Sequence, residues 1–277
     1  MNKRFSIAMA LVLGLFLAAC TQDGAQEDAV IAEVPNEVVL KLQSMGFNVN
    51  DYAVWETDGG YIVENDIFIS YGDLEGDVSF GRKGITDEHY STTNLVTGLP
   101  RTITVYLPTG GRRGFSAGEE AALNLAISRY NAENLLITFQ RVSSANGADI
   151  EFRRLSRRDE RRGVLGSAGF PTNGGDPFGE IRMSGILESS FGLSTGGIAT
   201  IFAHEMGHCI GLRHTDYMDR SFSCGGSPTN EGTAGVGANY IPGTPTGPEN
   251  GSYMLSCTDG SDRPFTNGDQ TALSTLY

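Results

Sequence analysis

Between residues 204 and 214 the chain carries three of its four histidines, in the run His204-Glu205-Met206-Gly207-His208-Cys209-Ile210-Gly211-Leu212-Arg213-His214. The sequence predicts a helix from about Thr195 to Ile210 that carries the first two. At about 3.6 residues per turn, His204 and His208 leave one face about 6 Å apart along the axis, where two imidazoles can grip one metal ion. Glu205 is rotated about 100° from His204, poorly placed as a ligand and well placed to reach a water on the metal. Gly211 can adopt a left-handed backbone and end the helix, so that His214 returns as a third ligand. Three neutral imidazoles leave one tetrahedral position for water, whose pKa the metal lowers toward about 7 and whose proton Glu205 takes.

This spacing fixes five residues, and its chance occurrence in a chain of this size is on the order of 10⁻⁵. A structural zinc site is the competing reading, but such sites favour thiolates and closed coordination. Cys209 lies about 100° around the helix from His208 and reads as a small buried apolar residue. The pattern therefore points to a catalytic metal.

With these residues the chain resembles the metzincin clan of zinc metallopeptidases. The run HEMGHCIGLRHTDY, with IPGTPTG and SYMLSC further on, looks like the bacterial dual-action HEIGH metallopeptidases. The resemblance covers residues 98–277 well and extends toward 35–97. It implies one catalytic Zn²⁺ held by His204, His208 and His214, with Glu205 as general base. It makes Met254 the Met-turn residue, an apolar floor under the zinc, where the alternative is an ordinary core methionine. It implies a twisted sheet with two main helices and an irregular C-terminal subdomain. It also implies an edge strand near Gly163 to Ser167 that pairs with extended substrate. Some clan members carry a Tyr two residues after the Met; here that position is Ser256. Tyr217 and Tyr253 are candidates for the oxyanion-stabilising group, beside the zinc itself. Asp216 is a candidate to orient a ligand imidazole.

The rest of the chain supplies an address and an acidic preface. Asn2, Lys3 and Arg4 precede an almost unbroken apolar run, Phe5 to Ala19, too short to span a bilayer comfortably, which ends Leu17-Ala18-Ala19-Cys20. Residues 1–19 read as a lipoprotein signal peptide and Cys20 as the lipidated residue, against an ordinary secretory signal. The expected location is the bacterial cell envelope, at the outer membrane or cell surface, with membrane contact through that anchor. Residues 20–34 read as an acidic tether, residues 35–97 as a small N-terminal α/β pro-like domain and residues 98–277 as the catalytic domain. Residues 20–97 carry 15 acidic and 3 basic residues, whereas 98–277 carry 18 and 15, so the charge asymmetry marks the boundary.

Helix signals occur at Pro35 to Met45, strand signals at Gly60 to Ser70, and a capping box at Ser116 to Glu119 opens a helix to about Asn131. Strands are expected at 101–107, 135–142 and 148–153, with short extended pieces at 163–168 and 179–184. Residues 221–251 hold eight Gly and four Pro and read as irregular loop. The class is α+β. Cys224 and Cys257 are expected to pair.

The formal charge of −13 excludes a nucleic-acid binder. Six arginines between 153 and 162 read as a solvated, ion-paired face, or as a dock for the acidic N-terminal part acting as an inhibitory or folding-assisting pro-segment. His89 reads as a surface residue, with a fourth zinc ligand in a latent form as the sharper alternative. Calcium has no recognisable pattern to support it. The function expected is a monomeric zinc metalloendopeptidase acting on peptide or protein substrates. The alternatives are a catalytically silent surface binding module on the same scaffold and a zinc hydrolase of non-protein amides.

Overall fold

The computed structural model describes residues 34–75, 89–111, 113–233 and 236–277. The signal segment 1–19, Cys20 and nearly all of the tether lie outside the described residues. The described residues make one compact unit. Among the described residues no helix is long and apolar enough to cross a membrane.

The elements run α1 (Asn36–Ser44), β1 (Trp55–Thr57), β2 (Gly60–Val63), β3 (Ile67–Ser70), α2 (Tyr71–Glu75), β4 (Tyr90–Ser91), β5 (Arg101–Tyr106), α3 (Ala117–Ala132), β6 (Ile137–Val142), β7 (Ile150–Arg154), α4 (Arg157–Arg161), β8 (Gly166–Ala168), β9 (Glu180–Met183), α5 (Thr195–Cys209), α6 (Ser221–Cys224), β10 (Asn239–Tyr240) and α7 (Asn267–Leu276). Eight strands form one mixed sheet in the order β1-β2-β3-β8-β9-β7-β5-β6, and β10 pairs with β4. The strands β9, β7, β5 and β6 are mutually parallel, and β8 runs against β9. Within segment 35–97, β1–β3 continue this sheet: β3 pairs with β8 through Ile67 and Ala168.

Local chemistry explains the two long helices. Ser116 accepts from the Glu119 backbone N–H while Glu119 returns to the Ser116 N–H, a capping box that satisfies two otherwise orphaned donors of α3. Ser194 caps α5 by accepting from Gly197 N–H. Every residue of α5 from Gly197 to Cys209 is buried, as suits a helix apolar nearly all round. α3 packs on α5, and Tyr130 Oη donates to the Ala203 carbonyl at 2.8 Å. Phe115, Phe139, Phe152, Ile181 and Phe202 fill the core between these helices and the sheet. At about 25 cal/mol per Å² of apolar surface removed from water, burial of this kind holds the layers together.

The arginine-rich stretch is ion-paired as expected of a structural face: Arg153 meets Glu180 at 3.0 Å and Arg154 meets Glu160 at 3.1 Å. The acidic N-terminal part touches it through Thr57 on Asp159, Trp55 beneath Arg162 and Ile62 packed with Leu155. His89 departs from its surface reading. It is 2% exposed, because the β4–β10 pairing draws it inward and its ring lies 3.6 Å from Glu249 and 3.8 Å from Asp269. It is not among the residues that gather at the histidine cluster.

Candidate metal centre

His204 and His208 leave the same face of α5. The helix ends at Gly211, whose φ of +100° is the left-handed conformation that favours glycine. A Cβ there would also meet Leu95 at 2.8 Å and Thr92 at 2.9 Å. The reversal lets Leu212 N–H bond back to the Gly207 carbonyl and carries His214 under the helix end. The Nε2 atom of His204 then lies 3.1 Å from that of His208 and 3.2 Å from that of His214.

Each Nδ1 is engaged on the far side of its ring. His204 Nδ1 donates to the Tyr253 carbonyl at 2.9 Å and His208 Nδ1 to the Leu212 carbonyl at 2.9 Å. His214 Nδ1 donates to the Glu231 carboxylate. With those protons on Nδ1, the Nε2 lone pairs of His204, His208 and His214 face one point, an arrangement that is repulsive unless a cation shares it. Asp66 Oδ2 joins the group, 3.0 Å from His214 Nε2 and 3.9 Å from His204 Nε2. The four ligand atoms lie within 4.8 Å of one another. The residues therefore fit a divalent metal with nitrogen and oxygen donors.

Glu205 stands beside this group with its Oε2 buried and unpartnered. It is accommodated by Gly166 of β8, where a Cβ would lie 2.4 Å from Glu205 Oε1. Burial, and then the nearby Asp66 carboxylate, push the Glu205 carboxyl well above its ordinary pKa. Burial pulls His204 down to about 4. His214 also suffers burial, but Asp66 and Glu231 on either side outweigh it and push it up to about 10, so a metal here competes with a proton on its Nε2.

The support around the site is buried charge. Glu231 accepts from Arg213 at 3.1 Å, lies 3.3 Å from Arg220, and takes the Ser256 hydroxyl at 3.2 Å. Met254 is buried, with its sulfur beside Gly207 of α5, and its carbonyl accepts from Thr215 N–H at 2.9 Å. The turn carrying it is pinned by Asp269 at the start of α7, which accepts from Ser252 Oγ at 2.6 Å and Tyr253 N–H at 3.3 Å. Cys224 and Cys257 are disulfide-bonded, and Cys209 is a buried free thiol.

Three further candidates lie around this group. Asp216 bonds Ser223 and Ser256 rather than a ligand imidazole, so it fixes the turn after Met254. The carboxylate on a ligand ring is Glu231, which sequence reasoning missed because it sits in the Gly-rich loop with no motif around it. The Tyr253 hydroxyl is engaged with Tyr130 at 3.1 Å. Tyr217 packs against Tyr90 and under the Arg213 guanidinium. Asp66 was also missed, since nothing local marks one aspartate in an acidic segment.

Beside the histidines opens a cavity of about 300 Å³. Thr200, Ile201 and Leu255 line it together with Glu205, and Trp55 and Asp66 close it from the N-terminal side. The stretch Gly163–Gly166, part of the expected edge, lines one wall, and β3 pairs with β8 at Ala168, just beyond it.

Among solved structures the chain is similar to "Structure of myroilysin" at 14% identity and a TM-score of 0.43, covering 68% of this chain and 98% of that one. It is similar to "Crystal structure of myroilysin" at 14% identity and a TM-score of 0.41, covering 67% and 86%. A third, "GM1 bound form of the ECX AB5 holotoxin", has 17% identity and a TM-score of 0.36, covering 67% and 81%. No curated protein matches at a significant level. The family model described as dual-action HEIGH metallo-peptidase matches residues 62–277, from the hairpin that carries Asp66 to the last residue of α7's cap. A match over that span, which takes in the histidine cluster just described, makes the chain a member of the dual-action HEIGH metallo-peptidase family.

Proposed function

We propose that the chain is a zinc-dependent endopeptidase in which His204, His208 and His214 hold the ion and Glu205 is the general base. The observation that carries this reading is the convergence of three Nε2 atoms whose rings are each fixed through Nδ1, beside a buried carboxylate oxygen with no partner. A zinc ion so held supplies Lewis-acid polarisation of a carbonyl and lowers the pKa of water.

The chain's own residues do the rest. Glu205 Oε2 takes a proton from the attacking water and returns it to the leaving amine. Glu231, Leu212 and Tyr253 fix the tautomer and tilt of the ligand rings. The cavity along Thr200, Ile201 and Leu255 takes an apolar side chain of the substrate. The Tyr253 hydroxyl is engaged with Tyr130, and the ion, when bound, would supply stabilisation of the oxyanion's charge.

Residues 1–20 support export with lipidation at Cys20. The Cys224–Cys257 disulfide suits an oxidising compartment. Cys20→Ser would move the protein from the membrane fraction to the soluble one if this reading holds.

The test of the activity uses quenched peptides and casein, with the mature chain and with Asp66→Ala, which clears the carboxylate from the site. Glu205→Ala should retain one equivalent of zinc and lose turnover by about 10³-fold or more. Zinc-loaded protein that cleaves no peptide in either background refutes the reading.

A further inference from the structure

The cavity beside the histidines carries more positive charge than the metal centre accounts for. Its charged lining is Arg162, Arg220 and Arg263 against Asp66 and Glu205. Both carboxylates stand at the histidine end: Asp66 lies 3.9 Å from His204 Nε2, and Glu205 follows His204 in sequence. In a chain with a formal charge of −13, three guanidinium groups on one cavity of about 300 Å³ reverse the local sign.

Existing partners decide which of the three can serve a ligand. Arg220 is committed: its Nη1 donates to the Glu64 carbonyl at 2.7 Å and lies 3.3 Å from Glu231. Arg263 donates from Nη1 to the Cys257 carbonyl at 3.1 Å and from Nη2 to Asp259 at 3.0 Å, which engages two of the five donors a guanidinium has. Asp259 is 67% exposed and does not line the cavity, and a pair with so wet a carboxylate is worth little. The Nη1 of Arg162 is buried with no partner, since Asp159, at 3.7 Å, stands beyond hydrogen-bond reach. A buried donor in that state costs free energy until an acceptor reaches it.

The rest of the lining sets the shape of that acceptor. Val164, Leu165, Ile201 and Leu255 present apolar walls. The Arg263 backbone N–H donates to Thr200 Oγ1 at 2.8 Å, tying it to α5, and Cys257 is held by its disulfide to Cys224. An occupant that matches both features has an aliphatic stem and a carboxylate end, the planar acceptor that a guanidinium binds through paired N–H groups.

We propose that this cavity is a subsite for a glutamyl side chain of the peptide substrate, with Arg263 and Arg162 as the specificity-determining residues. The stem lies along the walls of Ile201 and Leu255, and the carboxylate is drawn to the two guanidinium groups. A glutamine offers the same shape without the charge, and a lysine meets repulsion. The inference rests on the peptidase reading for its substrate, and it narrows the side chain assigned there to one with an apolar stem and an anionic end.

The test uses peptides identical except for Glu, Gln, Leu or Lys beside the central bond, on either side in turn. Quenched versions give kcat/KM with the zinc-loaded mature chain and its Asp66→Ala variant, and mass spectrometry reads the bond cut. Unlabelled versions give Kd with zinc-loaded Glu205→Ala, which holds them uncut. Trp55 is the chain's single tryptophan and lines the cavity beneath Arg162, so its emission reports occupancy. The expected result is a preference for Glu over Gln of about tenfold or more in Kd and in kcat/KM, at one position. Arg263→Gln and Arg162→Gln, each matched to its parent by circular dichroism, should lower that ratio about three- to tenfold, and Arg263→Lys should keep part of it. The ratio is the readout, so a general loss of activity in a variant does not count in its favour. Tighter binding of the Glu peptide without cleavage in either background upholds the subsite and sinks the peptidase reading. Equal Kd for the Glu and Gln peptides, or a preference that neither arginine variant lowers, overturns the subsite, and cleavage in the same assay then leaves the peptidase reading standing.

Discussion

Gly166 and Glu205 meet as a knob and a recess: a single Cβ on residue 166 would lie 2.4 Å from the glutamate's Oε1. The neighbouring strand is therefore cut away at the one position where the carboxylate needs room. Gly166→Ala should leave zinc stoichiometry intact and lower peptide turnover about 10²-fold, because a displacement near 1 Å at a catalytic group costs that much. Unchanged turnover in the metal-loaded variant would show that Glu205 does not need this room.

Glu231 is the carboxylate behind His214, and Arg213 and Arg220 converge on it. Glu231→Gln keeps its shape and removes its charge. Zinc affinity, read by competition with a fluorescent chelator, should fall about 10–100-fold, the usual cost of losing such a partner. The variant should also be less stable, since two buried guanidinium groups lose their counter-charge.

The disulfide between Cys224 and Cys257 closes a separation of 33 residues and ties the loop that follows Met254, where Cys257 lines the cavity. The double variant Cys224→Ser/Cys257→Ser should lose about 3–4 kcal/mol of stability on the loop-entropy account. Urea unfolding of the zinc-loaded protein measures it. A change below about 1 kcal/mol would mean the loop is held chiefly by Asp216 and its serine partners.

His89 gives the fold an acid limit. Burial pulls its pKa down to about 4, against the opposing pull of Glu249, while burial lifts its neighbour Asp269 to about 6. The unfolded imidazole takes a proton near its ordinary value of about 6.5. Between those two values the unfolded chain binds more protons at residue 89 than the folded chain does, so the His89 contribution falls as pH drops from about 6.5 to about 4. In that window Asp269 works the other way, because its folded form takes a proton first. His89→Gln should flatten the acid loss by about 1–3 kcal/mol across the window in pH-dependent urea melts. Identical pH profiles for parent and variant would remove the assignment.

What the amino-acid order reveals here depends on range. The helix from 195 and the cap at Ser116 are written in neighbouring residues, and both helices lie where those signals place them. The histidine spacing is likewise local: a helical step of four and one glycine reversal suffice to gather three rings. Glu231 and Asp66 are brought in by tertiary pairing, one through buried arginines and the other through a strand register, and neither leaves a pattern along the chain. His89 was misread for a related reason, since its polar neighbours gave no sign of the β4–β10 pairing that buries it. α7 was overlooked although Thr266 and Asp269 form a capping box, because so short an apolar stripe follows it.

The strand β8 is hydrogen-bonded on both flanks, by β9 within the catalytic sheet and by β3. The β3 flank is paired at Ala168 alone, so toward Gly166, beside Glu205, it runs on as a short ribbon of strand edge outside that ladder. Ribbons of that kind attract chains with little regard for side chains.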